Sequence, residues 1–214
     1  MKKLMITLFT MSAMSTVNAQ SAKDLFSSTD KKVTWLGVDL SHIKLIGRFT
    51  QFKDAGESNP VEIKEKYFPG WNNLIINEPK KYDVKGMLRV DDLTYDIDQM
   101  LDLNSKAHAK DMEATSAPNY KQEDIAKFVK EYNLSGKNGI GIAFIAESFN
   151  KGAEEAIIHF VAINMSNKEI LIYEKFTGKP KGFGIKNYWA GAIFDVMNHI
   201  KDKKYKEWKG KYAK

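Results

Sequence analysis

The sequence predicts an α/β (α+β) domain, a mixed sheet with a C-terminal three-stranded antiparallel meander and helices packed on it. Three observations lead there. Val33 to Leu40 is almost wholly apolar or small, the pattern of a strand covered on both faces. Three strand-like runs, 139–149, 156–164 and 169–176, are separated by Asn150-Lys151-Gly152 and Ser166-Asn167-Lys168, each short enough for a hairpin turn. Ile125, Phe128, Val129 and Tyr132, and later Trp189, Ile193, Val196, Met197 and Ile200, recur at helical spacing.

Taken in order, Lys2 and Lys3 precede an apolar run from Leu4 to Met11 and the small-residue end Val17-Asn18-Ala19. This is the order of a secretory signal, so cleavage is expected after Ala19 and the product should be exported, periplasmic or secreted. Neither that run nor Ile140 to Ala146 approaches the ~20 residues of a membrane-spanning helix. Residues 20–32 are polar and read as a flexible leader. A single domain is expected over 33–203, followed by a basic aromatic tail, 204–214.

Within the domain a second extended piece is expected over 43–49. Asn59, Pro60 and Glu62 form a helix start, with Asn as cap and Pro pre-set at the first position. Pro69-Gly70 should interrupt that helix, and a second piece over 71–77 should end before Pro79. Residues 84–103 read as extended, with Leu93, Tyr95, Ile97, Leu101 and Leu103 on one side and Asp92, Thr94, Asp96, Asp98 and Asp102 on the other. Asn119 and Gln122 have the spacing of a capping box for the next helix.

The chain has no cysteine, which excludes disulfides, thiolate metal sites, a cysteine nucleophile and the acylated N-terminus of a lipoprotein. Its net charge of +6 falls to +4 without Lys2 and Lys3. Seven lysines against Asp202 and Glu207 from residue 198 onward leave the rest of the processed chain near −1. Basicity is thus a property of the C-terminus. Arg48 and Arg89 are the only arginines, whereas phosphate and base recognition favours the guanidinium fork, so nucleic acid is not an expected partner.

The candidate ligand-binding segment joins the last strand to the last helix: Gly178, Lys179, Lys181, Gly182, Gly184, Lys186 and Asn187. A glycine-rich, lysine-bearing loop entering a helix can offer N–H groups and positive charge to an acidic ligand or partner. Equally, the glycines can serve a tight connection with Asn187 as helix cap. No cofactor fingerprint is present: the loop lacks the closing Gly-Lys-Ser/Thr of a nucleotide loop, and Gly139-Ile140-Gly141 precedes a strand where a dinucleotide motif needs a helix. The aspartates of 92–102 lack the glycine and glutamate of a calcium loop. His42, His108, His159 and His199 stand far apart, and no Gly-x-Ser-x-Gly elbow exists.

No catalytic or metal-binding residue is therefore assigned, and a binding or envelope-associated module is expected. The alternative is an envelope hydrolase using carboxylates such as Glu147, Asp39 or Asp195, or His159. Tyr205, Trp208 and Tyr212 among the tail lysines could rest on an anionic membrane surface, or staple the last helix to the domain. The export pattern, Val33-Thr34-Trp35-Leu36-Gly37-Val38-Asp39 and 182–191 together resemble a family of small exported proteins of Gram-negative bacteria. The resemblance implies an exported domain and carries over no activity and no catalytic residue. In layout the chain is similar to the small α/β domains of the curli secretion lipoprotein and of the Tol translocation protein's N-terminal part.

Overall fold

In the computed structural model, which describes residues 20–27, 31–47, 49 and 59–214, helices and strands alternate along most of the chain. The expected signal, 1–19, residues 28–30 of the expected leader and residue 48 of the expected second extended piece lie outside the described residues. The N-terminal half runs α1 (Asp24–Ser27), β1 (Lys32–Asp39), β2 (Lys44–Ile46), α2 (Pro60–Glu62), a π-turn (Ile63–Tyr67) and α3 (Phe68–Asn77). There follow α4 (Val84–Leu88), β3 (Asp92–Tyr95), α5 (Asp98–Ser105), α6 (Ala109–Met112), β4 (Glu113–Ala114) and α7 (Gln122–Lys130). The C-terminal half is β5 (Ile140–Asn150), β6 (Glu155–Asn164), β7 (Glu169–Gly178), α8 (Gly184–His199), a second π-turn (Ile200–Lys204) and α9 (Tyr205–Tyr212).

The expected α/β class with a mixed sheet is what the chain forms. β5 is the axis of the sheet. β6 pairs antiparallel along one edge of β5, and β7 pairs antiparallel with β6. On its other edge β5 takes two short parallel strands end to end, β1 beside its first half and β2 beside its second. β3 and β4 then add parallel to β1 and β2. Parallel pairings thus outnumber antiparallel ones, and β5–β7 are only one part of the sheet.

One face carries the larger core, where Trp35, Phe144, Phe149 and Phe160 meet α3, α8 and α9. Trp35 meets Phe144 edge-on at 5.2 Å, and Phe149 stacks on Trp189 at 4.5 Å. The opposite face carries a smaller cluster in which Leu36, Ala143, Ile145, Val161 and Ile163 are covered by Ile125 and Val129 of α7.

The outer edge of β1 is completed in two ways. β3 supplies the ladder only over Lys32–Trp35. Beyond it, a bulge at Gly37 (φ 109°) turns the strand, and the buried Asn72 of α3 takes the place of a neighbouring strand. Its Oδ1 accepts from Val38 N–H at 2.7 Å and its Nδ2 donates to Val38 O at 3.0 Å. Asn104 of α5 continues the edge, accepting from Leu40 N–H at 2.7 Å and donating to Val38 O at 2.9 Å. Gly37 is required because a Cβ there would lie 2.6 Å from Asn72 Oδ1.

Four sequence expectations are corrected. Pro69 does not break the helix: residues 60–77 run on through the π-turn, where Phe68 N–H reaches back to Ile63 O and the widened turn accommodates the proline's missing donor. Residues 84–103 are not one strand but helix, strand and helix, because left-handed Arg89 (φ 50°) ends α4 and the chain leaves the sheet after Tyr95. The leader is not free, since Leu25 and Phe26 are buried and Phe26 meets Tyr205 at 5.4 Å. The 204–214 segment continues the helix from Gly184 and buries Tyr205 and Trp208, with Trp208 Nε1 donating to Glu174 at 2.8 Å. Those two aromatics are therefore spent on the domain and not on a membrane.

Replacing Asn72 with Ala should lower stability by about 2–3 kcal/mol, because Val38 N–H is left buried without an acceptor. Urea denaturation measures the loss, and a change below about 0.5 kcal/mol would show that the amide is dispensable to the sheet.

Candidate functional site

Beyond the C-terminal end of β1 the chain crosses to β2 through Leu40–Ile43, and a cavity of about 340 Å³ opens there. Carboxyl ends of parallel strands are favoured places for ligands in α/β sheets. Ser41, His42, Lys44, His108, Tyr120 and Glu131 are among its lining residues. The ring of His42 stacks on Phe128 at 3.8 Å, and its Nε2 lies 3.1 Å from both Glu131 oxygens. Lys44 Nζ donates to Asp111 O across the cavity.

Beneath the cavity Asp39 is buried. Its Oδ1 accepts the Ser41 hydroxyl at 2.6 Å and the Ser41 N–H at 2.9 Å, and its Oδ2 accepts the Tyr132 hydroxyl at 3.0 Å. Burial pushes the Asp39 carboxyl above its usual range, and the bonds from Ser41 and Tyr132 and the nearby His42 only partly offset this. Burial, and then the Asp39 charge, hold the Tyr132 phenol well above its ordinary value.

A second polar cluster lies on the same sheet face. Glu147 sits at the β5 bulge with its side chain buried; its Oε2 is 2.9 Å from His159 Nε2 and accepts from Lys175 Nζ at 2.8 Å. The same carboxylate accepts Asn119 N–H at 3.2 Å and Tyr120 N–H at 3.0 Å, fastening the segment before α7. His159 Nδ1 lies 3.1 Å from the Tyr173 hydroxyl. Both ring nitrogens of His159 thus have a partner, Nε2 the Glu147 carboxylate and Nδ1 the Tyr173 hydroxyl. Tyr120 joins the two clusters, since its hydroxyl donates to His42 O at 3.0 Å.

Of the carboxylates and histidine named from sequence, Asp39, Glu147 and His159 thus share one face. Asp195 does not join them: it lies on α8, where its Oδ2 accepts Lys179 N–H at 2.9 Å. Asp92, Asp96, Asp98 and Asp102 do not form one face, being divided between β3, α5 and the turn between them, and Asp96 and Asp102 pair with Lys137 and Lys106. Among the described residues no three His, Asp or Glu side chains stand together as a metal site.

The 178–187 loop belongs to the opposite, aromatic face. Gly178 fits against the Ala192 carbonyl of α8, and the backbone of Lys181 fills the space a side chain at Gly191 would need. Gly182 (φ 136°) and Gly184 (φ 75°) make the turn into α8. Phe183, not Asn187, is the cap residue, and Asn187 Nδ2 instead donates to Phe183 O at 3.2 Å. Lys179, Lys181 and Lys186 are exposed, and the Lys186 carbonyl accepts Trp71 Nε1–H at 2.9 Å.

Sequence reasoning missed Ser41, Glu131, Tyr120, Tyr132, Tyr173 and Lys175. For Tyr173 and Lys175 a signal existed: alternation along a meander places residues 147, 159, 173 and 175 on one face.

No protein-family model and no curated protein matches the chain. Among solved structures, a dodecameric variant of PelC from Paraburkholderia phytofirmans is similar at 13% identity over 81% of this chain and 88% of that one. Its TM-score of 0.30 is too low to carry an argument.

Burial raises the Glu147 pKa, but the hydrogen bonds and charges of His159 and Lys175 outweigh it, so the carboxyl sits below its ordinary value of 4.5. Its stabilisation is therefore present above pH 4.5 and lost as pH falls through the depressed folded value. Asp39, with a raised pKa, has the opposite sign: its cost at neutral pH is relieved on acidification. Glu147→Gln should lower stability at neutral pH by about 1–3 kcal/mol and flatten the acid limb. Urea midpoints across the acid range test this, and a variant with the wild-type pH dependence would refute it.

Proposed function

We propose that the chain is an exported, non-catalytic binding module, periplasmic or secreted, whose ligand enters the cavity at the β1–β2 crossover. One observation carries the reading: Ser41 and His42, which line the cavity, each bond to a carboxylate and not to one another. Ser41 gives its hydroxyl proton to Asp39, and His42 faces Glu131, so serine and histidine do not form a nucleophile and base. His159 is wholly buried between Glu147 and Tyr173, which leaves a hydrolase built on it without access to substrate. What the cavity offers is polar groups of both signs, Lys44 and Lys106 beside Glu131 and Asp111. That composition suits a small amphoteric ligand of amino-acid size. The export part of the reading rests on Lys2-Lys3, the apolar run and Val17-Asn18-Ala19.

Free amino acids and dipeptides should raise the melting temperature of the wild-type chain, and His42→Ala with Lys44→Ala should abolish the shift. A panel of ester, phosphate, peptide and glycoside substrates should show no turnover. Turnover abolished by Glu131→Gln or His159→Gln would overturn the binding reading in favour of the hydrolase.

Export has its own test. Intact mass of the protein recovered from its host should correspond to a chain beginning at Gln20, and a membrane-bound species retaining Met1 would defeat the assignment.

A further inference from the structure

We propose that the tip of the β7–α8 connection is a contact surface for an anionic lipid bilayer, with Phe183 as the inserting side chain and Lys179, Lys181 and Lys186 as its headgroup contacts. Phe183 is 77% exposed, the most exposed large hydrophobic side chain among the described residues. It is the extended residue that precedes α8, and Lys186 lies in the first turn of that helix. Lys181 precedes it at the turn, and Lys179 stands where β7 ends. All three lysines are exposed.

The exposure of the ring does not come from a loose loop. Lys179 N–H donates to Asp195 at 2.9 Å, Lys181 N–H to Tyr188 O at 3.1 Å, and Asn187 Nδ2 to Phe183 O at 3.2 Å. Gly178 and Gly191 let the loop press on α8. The tip is held in shape and no conformational order has to be acquired on contact. The acids nearest in the contact network are Asp195 and Glu154, which lies 3.4 Å from the Tyr188 hydroxyl. The first turn of α8 lacks a side-chain cap and adds a partial positive charge.

A lone protruding ring among lysines fits lipid better than a folded protein. A protein partner needs a contiguous apolar patch and fixed complementary acceptors, whereas headgroups meet flexible ammonium groups at no fixed geometry and the ring reaches the acyl boundary. The inference is independent of the cavity on the other face, and cavity ligands play no part in its test.

Co-sedimentation of the chain from Gln20 with vesicles of equal parts phosphatidylglycerol and phosphatidylcholine should show binding that weakens with salt, and pure phosphatidylcholine vesicles should bind far less. Each of Lys179→Ala and Lys181→Ala should weaken binding about fivefold. Phe183→Ser should weaken it about tenfold with no change in melting temperature, since the ring is exposed. Val61→Ser, at the other large exposed apolar side chain among the described residues, should leave binding unchanged. Equal binding by wild type and Phe183→Ser, equal binding to neutral vesicles, or loss of vesicle binding to millimolar inorganic phosphate at constant ionic strength would overturn the proposal. The last result would assign the loop to a soluble anion.

Discussion

Two asparagine side chains decide how the N-terminal half of this domain meets its sheet. β1 has no strand neighbour on its outer edge beyond Trp35, yet its backbone there is buried and must be paired. Asn72 reproduces the donor and acceptor of a strand residue for Val38, and Asn104 accepts from Leu40 N–H while donating to the same Val38 carbonyl. Each amide belongs to a helix, so satisfying the strand also docks α3 and α5. The Gly37 bulge brings the Val38 peptide to Asn72, whose Oδ1 leaves no room for a Cβ at residue 37. An aliphatic side chain at either position would leave the helix apolar enough to pack but the strand unpaired, and the second cost is the larger.

The close of β1 in turn sets up the polar face. Because β1 stops and β2 resumes on the same edge of β5, the sheet has a break between Asp39 and Lys44. Asp39 caps the break from one side through Ser41. Glu147, at the bulge of β5, faces it from the other and holds Asn119 and Tyr120. Tyr120 spans the two, with its N–H on Glu147 and its hydroxyl on His42. The cavity is therefore a by-product of how a discontinuous strand is sealed, and its lining inherits charged groups whose first role is structural. The Asp39 and Glu147 pKa values shift in opposite directions because burial dominates at Asp39, whose bonded donors are neutral, and is outweighed at Glu147 by a lysine and a histidine.

Much of this was legible in the sequence where local patterning and the fold agree. The three C-terminal strands, the Asn59 cap and the amphipathic stripes of α7 and α8 follow from alternation, turn residues and helical spacing. The errors fall where tertiary context decides. Residues 84–103 alternate like a strand, but the sheet edge beyond Tyr95 is already occupied by asparagine side chains, so the chain turns into α5. Pro69 is a breaker only where a helix keeps the α pattern. Of the site, Glu147 and His159 stood out as polar residues within apolar strands, whereas Tyr120, Tyr132 and Glu131 lie on or beside a helix whose register against the sheet no local rule supplies.

The β7–α8 connection shows the same economy on the other face. Trp189 must reach Phe149 in the aromatic core, which requires α8 to begin within a few residues of the end of β7. So short a connection can close only if backbone lies directly on helix, and Gly178 and Gly191 provide that contact while Lys181 N–H is satisfied by the Tyr188 carbonyl of α8. Ile185 and Trp189 are turned to the core, whereas Phe183, just ahead of the first turn, is left exposed. A polar residue would meet the same backbone demand at no hydration cost, since the bond that Asn187 Nδ2 makes here is to the Phe183 carbonyl and not to its ring. Packing therefore explains where residue 183 stands but not why its side chain is aromatic, and it is this remainder, set among three lysines, that points outward to a partner.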